Sequence, residues 1–153
     1  MASGLYAATG ESITVNACMT TLLEINPPAN RVATITEASV TFSGVSSSDV
    51  PVLVELCEVT AASGAGTAVT PAPQRDGQVA VAAAAKKALG SEGTVTVLKA
   101  YNVPPSTGLV IQYPLGREPQ IQGAAASAKG YSIRANRGTG AGITADCNIE
   151  WEE

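Results

Sequence analysis

The stretch ITADCNIEW, residues 143–151, alternates apolar and polar side chains without a break. Successive residues of a β-strand point to opposite faces of a sheet, so this alternation predicts a strand with one buried face. Cys147 belongs to the apolar set, and we therefore expect it in the core. The apolar set is Ile143, Ala145, Cys147, Ile149 and Trp151.

Eight more strand candidates precede this one, separated by Gly, Pro, Asn and Ser residues. The chain of 153 residues contains 23 Val and Ile against 9 Leu, with 15 Thr, a balance that favours strands over helices. Together these features predict an all-β, antiparallel β-sandwich. The eight segments are Ser12–Ala17, Thr20–Asn26, Arg31–Ser43, Pro51–Thr60, Gln78–Ala84, Gly93–Tyr101, Thr107–Tyr113 and Gly130–Ala135.

Two of the candidates depart from simple alternation. In Arg31–Ser43 the apolar phase changes halfway along, which predicts a β-bulge near Thr36–Glu37. In Val52–Val59 both faces are largely apolar. We expect this strand to be covered on both sides, by the core on one and by a subunit interface on the other.

The region between residues 61 and 89 is rich in small side chains. Ala61–Gly77 consists mainly of Gly, Ala, Thr and Pro, and we expect it to be a surface connection. Gln78–Leu89 has the strongest helix propensity in the chain, yet Val79 and Val81 alternate as in a strand. We expect extended structure there, with a helical turn at its end as the alternative.

The composition excludes several classes of function. The chain has no His, so a His-based catalytic triad or a His-ligated metal is excluded. Its 9 Lys and Arg against 13 Asp and Glu disfavour nucleic-acid binding. No apolar run approaches the ~20 residues of a membrane span, and Met1–Gly10 does not resemble a signal peptide, so we expect the product to stay in the cytoplasm unless it is carried elsewhere. The 3 Cys fit neither a disulfide framework nor a zinc site, and we expect reduced thiols.

The charges are distributed unevenly along the chain. Residues 1–60 carry one basic and six acidic side chains, residues 61–140 carry eight and three, and residues 141–153 carry none and four. Acidic strands from the two ends could therefore meet basic strands from the middle, within or between subunits. A solvated surface is the alternative.

Three local patterns have a conceivable chemistry. Glu150 and Glu152 lie two residues apart on one strand face, a spacing of about 7 Å that suits paired carboxylates, although a solvent-facing strand has the same pattern. The glycines of 138–142 lack the strand-to-helix context of a phosphate site and favour a hairpin connection. Lys86–Lys87 favours a solvated edge over an acidic partner. We expect no catalytic site.

The segment VPPSTGLVIQYPLGRE, residues 103–118, predicts a strand, a turn, a second strand and a Pro-Leu-Gly corner. Pro114 ends the second strand because proline lacks the N–H group, and Gly116 permits a turn with positive φ. Arg117 and Glu118 then place opposite charges at the corner. They are candidates for a clamp on the loop or for contact with a neighbouring subunit, and an exposed pair that contributes little to stability is the alternative.

Residues 1–11 show no strand pattern of their own and are expected to form a flexible arm, which leaves residues 12–153 as the folded domain. Leu5 and Tyr6 are the two large apolar side chains in this arm. We expect them to be exposed, either as anchors that attach the arm to a capsid or a neighbouring subunit or as part of a merely frayed end.

Three segments together carry a resemblance to a known family. They are residues 103–118, the strand KGYSIRA at residues 129–135, and the closing NIEWEE at residues 148–153. In these the chain resembles the small tailed-bacteriophage proteins that decorate capsids, also called cement proteins, which have a jelly-roll fold. The Ala-rich stretches Val81–Lys87 and Ala124–Ala126 depart from the family pattern.

The resemblance implies a jelly roll like that of tumour-necrosis-factor-like trimers. It implies a homotrimer that binds the phage major capsid protein on the outer surface of the virion and stabilises it, without catalysis, cofactor or metal. The protein would be made in the host bacterial cytoplasm. Leu5, Tyr6, Arg117 and Glu118 are the candidate capsid or subunit contacts.

Two other functions stay open from the sequence. The first is a receptor- or carbohydrate-binding jelly-roll module of a phage fibre or cell surface, although an aromatic content of 4% disfavours stacking on sugars. The second is a carboxylate hydrolase that would depend on Glu150 and Glu152.

Overall fold

A computed structural model describes residues 4–46, 50–61, 63–125 and 128–153. Within these ranges the chain forms twelve strands and no α-helix. The strands are β1 (Leu5–Val15), β2 (Thr20–Asn26), β3 (Val32–Ser43), β4 (Val52–Val59), β5 (Thr67–Val69), β6 (Ala72–Pro73), β7 (Ala84–Lys87), β8 (Val95–Val103), β9 (Leu109–Gln112), β10 (Gln120–Gln122), β11 (Gly130–Asn136) and β12 (Ile143–Glu152).

The strands form two antiparallel sheets that pack face to face as a β-sandwich, which confirms the predicted fold class. In sheet 1, β9 and β10 both pair with β3, and β12, β1 and β6 follow in that order. Sheet 2 has the order β5, β7, β2, β11, β4 and β8. Strands that follow one another in sequence mostly lie in different sheets, so the core forms only when distant segments meet.

In β12, the residues that alternate between apolar and polar in the sequence alternate between buried and more exposed in the structure. Its five apolar side chains are buried, and Cys147 is a core residue as predicted. The ring of Trp151 lies 6.0 Å from that of Tyr6. The predicted bulge is also confirmed, because Glu37 pairs with Glu150 while Ile35 pairs with Trp151, which leaves Thr36 as the extra residue.

The amino-terminal segment differs from the expected arm. β1 begins at Leu5 and pairs with β12 along its length, and the side chain of Tyr6 is only 2% exposed. A flexible arm is therefore wrong for residues 5–11, while residues 1–3 lie outside the described part of the chain. Burial alternates regularly from Leu5 to Gly10, but the buried set includes the small residues Ala8 and Gly10 while Leu5 lies on the other face, so the sequence of this half shows no strand pattern.

The segment at residues 63–94, here called the covering segment, is more structured than a surface connection. It contains β6, which pairs with β1, and β7, which pairs with β2, while β5 pairs with β7. The extended structure expected in the Ala-rich region is confirmed at Ala84–Lys87, whereas the strand predicted for Gln78–Ala84 is wrong up to residue 83. Residues 78–83 contact the sandwich through hydrogen bonds between side chains and the backbone rather than through strand pairing.

Candidate functional site

The two sides of the sandwich differ in whether further strands cover their edges. On one side, here called the closed edge, the covering segment extends sheet 1 beyond β1 and sheet 2 beyond β2. On the other side, here called the open edge, sheet 1 ends at β9 and β10 and sheet 2 ends at β8. Several large apolar side chains are uncovered at the open edge, and Val79 of the covering segment is also exposed.

Side chains of the covering segment and of the last residue substitute for strand pairing at the closed edge. The amide of Gln78 bonds to both the N–H and the C=O of Leu5, and the Tyr6 hydroxyl donates to the Val79 carbonyl at 2.6 Å. The Glu153 carboxylate accepts hydrogen bonds from the backbone N–H groups of Ala82 and Ala83. The backbone of residues 78–83 is thereby attached to both chain ends.

A buried carboxylate attaches the covering segment to the outer face of sheet 2. Glu24 is fully buried, and its carboxylate accepts hydrogen bonds from Ser63 at 2.5 Å and from Asn26 at 2.8 Å. Its other contact is Lys86, whose ammonium lies 3.5 Å away. The neighbouring Lys87 donates to the Glu11 carbonyl at 2.9 Å. The expected solvated edge at Lys86–Lys87 is therefore wrong, because both ammonium groups have partners within the chain.

A second polar group lies farther along the same face. Arg134 of β11 forms an ion pair of 2.6 Å with Glu55 and one of 3.5 Å with Glu92 of the covering segment. Glu92 also accepts hydrogen bonds from the backbone and the hydroxyl of Thr21. Cys57, on the same face of β4, is fully buried, and burial raises its pKa to about 11.

The two-sided burial expected for Val52–Val59 is present, but the expected subunit interface is not needed there. Cys57 and Val59 lie on the face of β4 away from the core, and both are fully buried within one copy of the chain. The second apolar face of β4 is therefore already buried without a partner subunit. We therefore expect any subunit interface to lie on another surface.

The open edge exposes several branched aliphatic side chains. In β8, Val97 and Leu98 are 44% and 40% exposed, and in β9, Val110 is 61% exposed. Lys99 of β8 lies over the Tyr113 ring with its ammonium 4.8 Å from the ring centroid, so the two edges are close to each other. Three apolar side chains that pack on the core along these edges are only partly buried: Tyr101, Leu109 and Ile111.

A tight turn projects from the open edge between β9 and β10. It is formed by Pro114, Leu115, Gly116 and Arg117, and is here called the PLGR turn. Leu115 is 97% exposed, and the Arg117 N–H donates to the Pro114 carbonyl at 3.0 Å. Gly116 has φ of +81°, as its position in the turn requires.

Glu118 fixes this turn rather than forming an ion pair with its neighbour. Its carboxylate accepts the N–H of Gly116 at 2.6 Å, so Glu118 is the loop clamp that was one of the two expectations. Among the described residues, the ion pairs involve Glu24, Glu55 and Glu92, and Arg117 takes part in none of them. Arg117 is exposed beside Leu115.

A shallow hollow of about 380 Å³ lies on the outer face of sheet 1 next to this turn, and is here called the acidic hollow. Glu37 and Glu150 are direct cross-strand neighbours in it, an arrangement of like charges that destabilises a sheet. The hydroxyl of Thr36 is buried there without a hydrogen-bond partner. The lining residues are Leu5, Thr36, Glu37, Gln112, Tyr113, Glu150 and Glu152.

The structure separates the four contact candidates proposed from the sequence. Leu5 lines the acidic hollow, and Arg117 projects from the PLGR turn beside it. Glu118 acts within its own turn, and Tyr6 is a core residue rather than an exposed anchor. The exposed residues of β8 and Leu115 were missed, because a strand pattern in the sequence does not reveal whether a strand lies at an open edge.

The glycine-rich segment 138–142 connects β11 in sheet 2 to β12 in sheet 1, so the predicted hairpin is wrong. The Arg137 guanidinium donates to the Ala141 carbonyl within this connection. Glu150 and Glu152 lie on the outer face of β12 as predicted, in the acidic hollow. Within the described ranges, no cluster of three or more His, Cys, Asp or Glu side chains has the arrangement of a metal site.

Comparison with protein-family models, with curated proteins and with solved structures finds no match to this chain. Among the residues that the structure describes, no helix has the length and apolar character to cross a membrane.

Proposed function

We propose that this protein is a structural component of a bacteriophage virion, a homotrimer that binds the outer surface of the capsid and stabilises it. The proposal rests on the resemblance of residues 103–118, 129–135 and 148–153 to capsid decoration proteins, together with the open edge. The role is architectural, with the phage major capsid protein as partner and no cofactor.

The strand order supports the jelly-roll fold that this proposal includes. One path of four strands runs β1, β12, β3 and β9, and the opposite path runs β2, β11, β4 and β8. Among these eight strands, each strand and the next one along the chain lie in opposite sheets. The exception is β4 and β8, which precede and follow the covering segment and pair with each other within sheet 2. Double-sheet jelly rolls built from two Greek keys are common in viral capsid proteins.

The open edge is the observation that carries the proposal. An uncovered edge strand with exposed aliphatic side chains is a site for association, and soluble monomers usually protect such strands. β8 is nine residues long and presents Val97 and Leu98 to solvent. A homotrimer that covers this edge would remove the exposed apolar surface and leave the loops at the ends of the sandwich for the capsid.

The experiment has two measurements on the full chain. Light scattering of the purified protein is expected to give three times the chain mass of 15.4 kDa. Sedimentation with shells assembled from the major capsid protein of the same phage is expected to bring this protein into the pellet. A monomer at micromolar concentration would overturn the homotrimer, and a protein that stays in the supernatant would overturn capsid binding.

A further inference from the structure

We propose that the PLGR turn of one copy binds in the acidic hollow of the next copy around the trimer axis. This inference rests on the proposed homotrimer and assigns the residues that join its subunits. Leu115 would pack against Leu5 of the next copy, and Arg117 would pair with the carboxylates of Glu37, Glu150 and Glu152 there.

The turn has the properties of a preformed anchor. Leu115 is 97% exposed, a large apolar side chain with no contact that its own fold needs. The hydrogen bonds from Arg117 to Pro114 and from Gly116 to Glu118 hold the turn in one shape. Because the turn is already ordered by these bonds, binding through it costs little conformational entropy. Since the Glu118 carboxylate is bound within the turn, the Arg117 guanidinium is the charge that the turn presents to a partner.

The hollow has the complementary charge. Its lining includes three carboxylates and no cation, and two of the three, Glu37 and Glu150, face each other across adjacent strands. All three are only half exposed, so an incoming guanidinium would be partly shielded from water and would relieve the repulsion between them.

The relative position of the two surfaces fits a rotational assembly. Gln112 and Tyr113 line the hollow, and the turn begins at the next residue, Pro114. A contact between two different patches is heterologous. It closes into a ring when the rotation from one copy to the next divides a full circle into equal parts. When the two patches are neighbours on each copy, the ring places them close to its axis. Turn and hollow would therefore alternate around the centre of the trimer.

A charge swap tests this contact. The single variants Arg117→Glu and Glu150→Arg are each expected to raise the protein concentration at which half of the trimer dissociates by about tenfold or more. The double variant is expected to recover most of this loss, because the opposite charges again meet across the interface. Arg75→Glu is the matched control: it makes the same charge change at an exposed arginine in the covering segment and is expected to leave the trimer unchanged.

The outcomes separate this contact from the trimer itself. A wild-type trimer that Arg117→Glu leaves intact would overturn the contact and keep the homotrimer. Loss of the trimer in both single variants without recovery in the double variant would also overturn the pairing. A wild-type monomer would overturn both. If circular dichroism shows that Glu150→Arg does not fold, the same swap is made with Glu152→Arg, and Leu115→Ser tests the apolar half of the contact.

Discussion

At the closed edge the chain covers its own outer strands, whereas at the open edge it leaves strands of similar composition uncovered. Tyr6 of β1 and Tyr101 of β8 show the contrast. Tyr6 is 2% exposed and donates a hydrogen bond to Val79, while Tyr101 packs on the same core but is only partly buried. The core is therefore completed on one side by the covering segment and left incomplete on the other.

The comparison shows that protection of an edge depends on specific polar side chains as well as on apolar contacts. The covering segment has few large apolar residues, and it is held by Gln78, Glu24 and Glu92 through hydrogen bonds and ion pairs. Glu153 holds it from the other chain end. No comparable segment lies over β8 within the described residues. The contrast predicts that equivalent substitutions at the two edges will differ in their effect.

The largest expected difference is between Tyr6→Ala and Tyr101→Ala. Tyr6→Ala removes a fully buried ring beside Trp151 and a hydrogen bond, and we expect it to lower the free energy of unfolding by about 3–5 kcal/mol. Tyr101→Ala removes a ring that is partly solvated already, and we expect about 1 kcal/mol. Urea unfolding followed by circular dichroism measures both.

The measurement must be made at a protein concentration low enough to dissociate any oligomer, since an interface at the open edge would bury Tyr101. Two equal losses at that concentration would contradict the distinction between the edges. A larger loss for Tyr101→Ala at high concentration alone would locate an interface at the open edge.

A smaller difference is expected between Gln78→Ala and Gln112→Ala. Gln78 bonds to both backbone groups of Leu5, and we expect its removal to cost about 1–2 kcal/mol because the Leu5 N–H loses its partner, while the Leu5 carbonyl keeps the N–H of Gln74 at 2.9 Å. Gln112 donates to Glu37 at 3.0 Å on an exposed surface, and we expect its removal to cost less than about 0.5 kcal/mol. Hydrogen exchange should show faster exchange of the Leu5 amide in the first variant only. Unchanged protection at Leu5 would contradict its attachment through Gln78.

The sequence predicted the parts of this fold whose alternation is uninterrupted. β12 and β2 have their expected bounds within a residue or two, and the phase change near Thr36–Glu37 located the bulge. These signals are local, because the period of a strand and its disruption are both visible within about ten residues.

The parts that were missed depend on distant partners. The first half of β1 is a strand because β12 lies beside it, and residues 78–83 are held by Leu5, Tyr6 and Glu153 from the two chain ends. Of the candidate contact residues, the sequence singled out Leu5 and Arg117, which lie at the hollow and the turn, but Leu115 and the exposed face of β8 could not be identified. Exposure is a property of the assembled sheets, so the open edge was not visible in the sequence.

The smallest expected effect concerns the order in which the three free thiols react with a thiol reagent. Cys18 is exposed, whereas burial raises the pKa of Cys57 to about 11 and that of Cys147 to about 12. Both buried thiols therefore stay protonated at about pH 8, and each becomes reactive only when opening returns it to water, where more of it is thiolate. Their labelling rates then report local opening at each site.

We expect Cys18 to react first, Cys57 second and Cys147 last. Cys57 lies on the outer face of sheet 2, in β4 beside the edge strand β8 and near Arg134 and Glu92, so local opening there exposes it without separation of the two sheets. Cys147 lies in β12 between β1 and β3, and the closed edge must separate before the reagent can reach it. Mass spectrometry of peptides after timed labelling gives the three rates. Equal rates for Cys57 and Cys147 would mean that both are exposed only by global unfolding, and the outer face of sheet 2 would then open no more readily than the core.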